Sequence, residues 1–121
     1  MASDDYCLLT TTGRRTGRRH EIEIWYADAG DRYYVLAGGG RGADWVANLA
    51  ANPSAEVRTG LVRRAAVGRL LDGPGDAEEA RLARDLVYAK YQPRYEDSLD
   101  DWRERSLPVA LDLGASLNGQ P

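Results

Sequence analysis

The sequence contains no phenylalanine, one cysteine and one histidine, and each shortage removes a class of function. With Cys7 alone there can be no internal disulfide and no multi-cysteine metal site; beside Leu8 and Leu9 it reads as a small core residue. A zinc site built on His20 would need carboxylates in an arrangement the sequence does not offer, so no metal is predicted. The lone histidine has no serine partner for a Ser-His-Asp triad. No apolar run is long enough to cross a bilayer. The stretch Met1 to Asp5 is short and acidic, without the basic or apolar parts of a secretory signal, so a cytoplasmic protein is expected. In place of Phe, seven Tyr and three Trp supply the aromatic bulk. Most large rings therefore carry a polar handle that wants a partner or a wet edge.

What is present is one domain, 1–121, with an ordered core expected over about residues 6–113 and a disordered tail from Gly114. Apolar residues at 43% and charged residues at 29% argue for a globular chain rather than a disordered one. The net charge is -3, yet four arginines, Arg14, Arg15, Arg18 and Arg19, crowd into the stretch T-T-T-G-R-R-T-G-R-R-H-E-I from Thr10 to Ile22. Local positive density in an acidic protein points to a small anionic ligand rather than to nucleic acid, and no basic helix or aromatic ladder accompanies it. Gly13 and Gly17 allow positive φ and let N–H groups converge on a bound oxygen. The spacing is not that of a Walker loop, and its lysine is missing.

Around this turn the pattern is mostly β. Cys7 to Thr12 reads as a strand, His20 to Ala27 alternates as a second, and Arg32 to Ala37 forms a third, hairpin-paired with the second across Asp28-Ala29-Gly30-Asp31. A glycine-rich run from Gly38 to Ala43 follows, fit for close approach of a flat ligand or another backbone. Asp44 is expected to cap a short helix, Trp45 to Ala51, with Trp45, Asn48 and Leu49 on one face. Ala55 to Thr59 and Leu61 to Leu71 make a second hairpin about Gly60. Asp76 caps the longest helix, Ala77 to about Tyr91, with an apolar stripe through Ala80, Ala83, Val87 and Tyr91. Tyr88, Tyr91 and Tyr95 gather at its exit, and Leu107 to Leu113 is the last strand. The fold class is mainly β with helices (α+β): a small antiparallel barrel of about six strands with two main helices. No nucleophile or base pair names a reaction, so any chemistry would come from a bound cofactor.

The segments L-L-T-T-T-G-R-R-T-G-R-R-H-E-I-E-I-W-Y, V-L-A-G-G-G, D-W-V-A-N-L-A-A-N-P and L-P-V-A-L-D-L resemble, in order, the deazaflavin-dependent nitroreductase family, flavin and deazaflavin oxidoreductases with a split β-barrel. The resemblance implies a reduced 8-hydroxy-5-deazaflavin (coenzyme F420) carrying a phosphate and an oligoglutamate tail, and hydride transfer to an activated double bond, a quinone or a nitro compound. It implies that Arg14, Arg15, Thr16 and Gly17 hold phosphate and tail and that Ala37, Gly38, Gly39 and Gly40 lie along the ring. Trp45 and Asn48 would order the helix beside it. His20 stands where many nitro-reducing relatives have arginine, so the tail grip would differ there. Tyr88, Tyr91 and Tyr95 would shape the substrate pocket and donate a hydrogen bond or proton. The chain begins almost at the first strand, which implies an open site or closure by a second copy in a homodimer. Two alternatives stand beside this: the same barrel using FMN, and a non-catalytic carrier of a flavin, haem or fatty-acyl ligand.

Overall fold

The computed structural model describes residues 5–118. Seven antiparallel strands form one sheet: β1 (Cys7–Thr12), β2 (Arg19–Ile24), β3 (Ala27–Asp28), β4 (Arg32–Ala37), β5 (Ser54–Thr59), β6 (Val62–Leu70) and β7 (Leu107–Ser116). Their spatial order is β2-β1-β5-β6-β7-β4-β3. The two edge strands are neighbours in sequence, joined by Trp25 and Tyr26 alone. Three Cα–Cα steps from Ile24 to Ala27 reach about 11 Å at most, so the sheet has to curl until its edges nearly meet. That covalent tie makes an open sheet into a split barrel.

The second strand of the sequence reading is therefore corrected. The alternation from His20 to Ala27 is real, but the pairing changes partner within it: Cys7 registers with Ile24, whereas Ala27 registers with Tyr34. Periodicity reports which face a residue takes and is silent on which ladder it joins. The expected hairpin with the third strand survives only as the two-residue β3 against β4. The last strand is longer than expected, because Ser116 still pairs with Arg64 and the Leu117 N–H bonds the Arg63 carbonyl at 2.8 Å. The remainder of the tail, 119–121, lies outside the described residues.

Three helices cover the sheet: α1 (Asp44–Ala51), α2 (Ala77–Tyr91) and α3 (Asp100–Arg105). Period-two alternation along β4 sends Tyr33, Val35 and Ala37 into one core with Val46 and Leu49 of α1. Tyr34 and Leu36 go into a second core with Ala80, Ala83, Val87 and Tyr91 of α2. β4 and the first half of β7 are thus buried on both faces. Helix α1 is too short to stand alone; it is held against β6 where a Cβ on Gly68 would sit 2.9 Å from Leu49 Cδ2. Asp44 is the first helical residue rather than its cap, which is Ala43. Helix α3 was not expected: six polar-looking residues carry acids in the first turn and arginines in the last, complementing the helix dipole, and Trp102 packs against the second core. No helix of the described residues is long and apolar enough to cross a membrane.

An ion-pair network pins α2 to the sheet. Glu79 accepts from Arg69 through two bonds of 2.9 Å, from Tyr34 Oη at 2.8 Å and from Arg32 at 3.1 Å. Asp112 takes the rest of the Arg69 fork. The Arg69 hydrogen bonds, outweighing desolvation, hold the Glu79 carboxyl down at about 2 from its ordinary 4.5. A depressed carboxylate contributes stability that is complete above its unfolded pKa and lost as pH falls through the folded one. Glu79→Gln is expected to cost about 1–2 kcal/mol at pH 7, allowing for solvent screening. Urea unfolding at stepped pH should show the gap from wild type closing between about pH 4.5 and 2.

Candidate functional site

The arginine turn is a tight hairpin loop closed by backbone. Gly13 N–H bonds Arg18 O at 2.6 Å and Gly17 N–H bonds Gly13 O at 2.8 Å, with Gly17 at φ 75°. Thr16 Oγ1 accepts from the Arg18 N–H. These bonds leave the Arg15 and Thr16 N–H groups without a partner among the described residues. The turn lies beside α1, and between them opens a cleft of about 690 Å³ whose lining includes the turn, His20 and Ile22 of β2, and Asp44, Trp45 and Asn48. A Cβ on Gly13 would fall 2.6 Å from His20 Nε2, so the absent side chain is what lets the imidazole lie over the turn.

The arginines of the cleft differ in how they are held. Arg14 donates from Nη1 to Asn48 Oδ1 at 2.9 Å and from Nη2 to Asp44 Oδ1 at 3.4 Å, which anchors it to α1. Arg19 is paired with Glu56 at 2.8 Å, and Glu56 also holds Arg63. Those two partners, Arg63 first, keep the Glu56 carboxyl below its ordinary range. Arg15 and Arg18 are exposed. Of the residues expected to bind a coenzyme, Arg14, Arg15, Thr16, His20, Trp45 and Asn48 come together in this cleft. Gly17 sits at the tip of the turn, where it serves the backbone.

Ala37 is 2% exposed and its side chain belongs to the core, so only its backbone is left to face a ring. Gly38 and Gly39 are exposed, and of the two only Gly38 is crowded by the protein's own packing. A Cβ on Gly38 would stand 3.3 Å from Trp102 Nε1, and one on Gly39 would stand 3.5 Å from Ala43 Cβ. Gly40 takes φ 60° in the turn leading to α1. Arg41 ties the same run to Asp72 with a bidentate pair of 2.6 and 2.8 Å.

The three tyrosines belong to a separate aromatic group at the α2 exit and do not line the arginine cleft. Trp25 stacks on Tyr91 at 4.3 Å and meets Tyr95 and Trp102 edge-on. Tyr88 Oη donates to Asp100 at 2.6 Å, and that bond raises its pKa. Tyr91 is 3% exposed, and its hydroxyl accepts the Tyr26 N–H at 3.1 Å while facing the Asp5 and Tyr26 carbonyls. Burial raises the Tyr91 pKa. Its proton is engaged by backbone, a geometry that favours a structural role over the expected donation to a substrate. Tyr95, half exposed, is the tyrosine of the group with the most open surface. Sequence reasoning missed Glu21, Ile22 and Asp44 as cleft residues. Ile22 could have been found from its place on the inward face of the alternating strand.

A curled antiparallel sheet with this cleft at its hairpin places the chain among the split-barrel proteins. Solved structures with the same fold include an F420-H2-dependent reductase, FDR-A (TM-score 0.60, 23% identity, 91% of this chain and 94% of that one). A heme-storage protein of Vibrio cholerae also matches (TM-score 0.65, 16% identity, 93% and 83%). At these identities the likeness is one of fold. Sequence decides the family: residues 1–113 match the model of the F420H(2)-dependent quinone reductases, and the chain belongs to that family. An F420H(2)-dependent quinone reductase of Mycobacterium tuberculosis strain H37Rv is 36% identical over 107 residues, covering 86% of this chain and 70% of the relative.

Proposed function

We propose that this chain is an oxidoreductase that transfers a hydride from reduced coenzyme F420 to a quinone or a similarly activated acceptor. The observation that carries the reading is the cleft in which arginines of one turn face a helix start, Arg14 already locked to Asn48. The donor set fits the coenzyme: guanidinium forks and unpaired N–H groups match phosphate and glutamate oxygens, and Ile22 and Trp45 offer an apolar wall to a flat ring. An FMN handle, with one phosphate, would leave part of this donor set unused.

Bound there, the reduced deazaflavin supplies a hydride, and the acceptor takes up a proton to complete its two-electron reduction. The protein's part is to bind, orient and shield. Arg14, Arg15 and Thr16 hold the charged handle, with His20 against the turn, and Trp45 sets the wall of the cleft. Separate fluorescence and absorbance titrations with F420, FMN and haem test the assignment. Binding of F420 at micromolar Kd or tighter, with FMN at least about tenfold weaker, is expected from the loss of the tail contacts. Preference for FMN or haem would overturn it. Anaerobic mixing of the F420H(2)-loaded protein with a soluble benzoquinone should then bleach the reduced coenzyme's signal.

A further inference from the structure

Asn48 lies on α1 at 3% exposure, and both polar atoms of its amide are engaged. Oδ1 accepts two bonds from Arg14, the backbone N–H at 3.1 Å and Nη1 at 2.9 Å. Nδ2 donates to Thr11 Oγ1 at 3.2 Å, and Thr11 is itself buried on β1. The orientation follows from chemistry: both Arg14 groups are donors only, so the atom facing them has to be the oxygen, and the Thr11 hydroxyl can accept from the nitrogen. One buried side chain therefore joins β1, the turn and α1, and fixes both ends of Arg14. Asp44 stands in contrast. Its carboxylate is 92% exposed and reaches Arg14 Nη2 only at 3.4 Å, a loose pair of the kind that contributes little.

We propose that Asn48 is a positioning residue, oriented by Thr11, that holds the Arg14 guanidinium ready so that an incoming phosphate or carboxylate exchanges with Asp44. The arrangement separates two tasks. Asn48 removes the entropy of ordering a long side chain before the ligand arrives, which is where preorganisation adds affinity. Asp44 covers the exposed edge of the guanidinium with a counter-charge that a more highly charged ligand displaces. A monoanion gains little by this exchange, whereas a polyanionic handle replaces one weak pair by a bidentate one.

The inference rests on the coenzyme reading above, and the experiment separates the two. Kd for oxidised F420 is measured by fluorescence on the full chain and on R14A, N48A, R14A/N48A, D44N, T11V and T11S, with melting temperatures alongside. N48A should bind about tenfold more weakly, the size of one lost charge-assisted bond. N48A should cost much less affinity in the R14A background than in wild type, because Asn48 acts mainly through the Arg14 guanidinium. D44N should bind about threefold more tightly, for removal of an exposed competitor. Thr11 does not line the cleft, so a loss of affinity in T11V that T11S restores is the signature of positioning, and it stands even where N48A fails to fold. Losses in R14A and N48A that simply multiply overturn the proposal, as does an N48A or T11V that lowers the melting temperature and leaves Kd unchanged. An unchanged Kd in R14A overturns the coenzyme cradle and this inference together; a weakened R14A beside an unchanged N48A overturns this inference alone.

Discussion

Replacing Arg14 and Arg15 together by alanine is expected to weaken F420 binding about 100-fold while moving the melting temperature by only a few degrees. The size follows from two charge-assisted contacts at the edge of solvent, each worth about 1.5 kcal/mol, with every 1.4 kcal/mol a factor of ten in Kd. The small structural cost follows from what each arginine touches. Arg15 is exposed, and the Arg14 ion pair is to an aspartate that is 92% exposed. Asn48 Oδ1 keeps the Arg14 backbone N–H after truncation, so no buried acceptor is orphaned. The remaining dependence of Kd on salt should become shallower, since fewer charges then meet the ligand. Arg19→Ala is the internal comparison: its guanidinium is already committed to Glu56, so it should cost less affinity. Equal binding by wild type and the double variant would place the coenzyme somewhere other than this turn.

Tyr91→Phe is expected to lower the melting temperature by about 5–10 °C and to leave turnover per folded molecule within about twofold of wild type. Phenylalanine keeps the stack on Trp25 but deletes the hydroxyl that accepts the Tyr26 N–H. That donor is buried at the point where the chain passes from one sheet edge to the other, and an unsatisfied group there costs about 1–3 kcal/mol. The Asp5 carbonyl loses its 2.7 Å bond as well. Because no free proton of Tyr91 faces a cleft, the chemistry has nothing to lose directly. Thermal unfolding, with kcat measured well below both midpoints, checks this. A variant that melts like wild type and turns over tenfold more slowly would restore the proton-donor role. Tyr95→Phe, at a position 49% exposed, should be near neutral for stability and is the control.

Both expectations show how the site divides between what can be read along the chain and what cannot. The arginine turn is local: Gly13, Gly17 and the intervening residues close on themselves within six residues, so their backbone bonds follow from composition alone. The motif with Trp45 and Asn48 is equally visible, since it lies within one helix. The meeting of Asn48 with Arg14 spans 34 residues and depends on α1 docking against β1 and β6. The tyrosines show the reverse error. Clustering at a helix exit identifies them as neighbours, but whether a hydroxyl faces solvent or backbone is settled by the strand that packs over it.

The amino-acid pattern by itself determined most of the strand and helix faces and the positive turn in an acidic chain, because each depends on spacing or residue type within a short window. Only the tertiary structure decided that the alternating segment from His20 to Ala27 serves two opposite sheet edges, that Ala37 is core, that Tyr91 is spent on backbone, and that Asn48 holds Arg14. Each of those depends on which distant segment supplies the partner. A hydrogen-bonding group takes whatever partner the closed barrel brings within about 3 Å, and closure belongs to the whole sheet rather than to any one stretch of it.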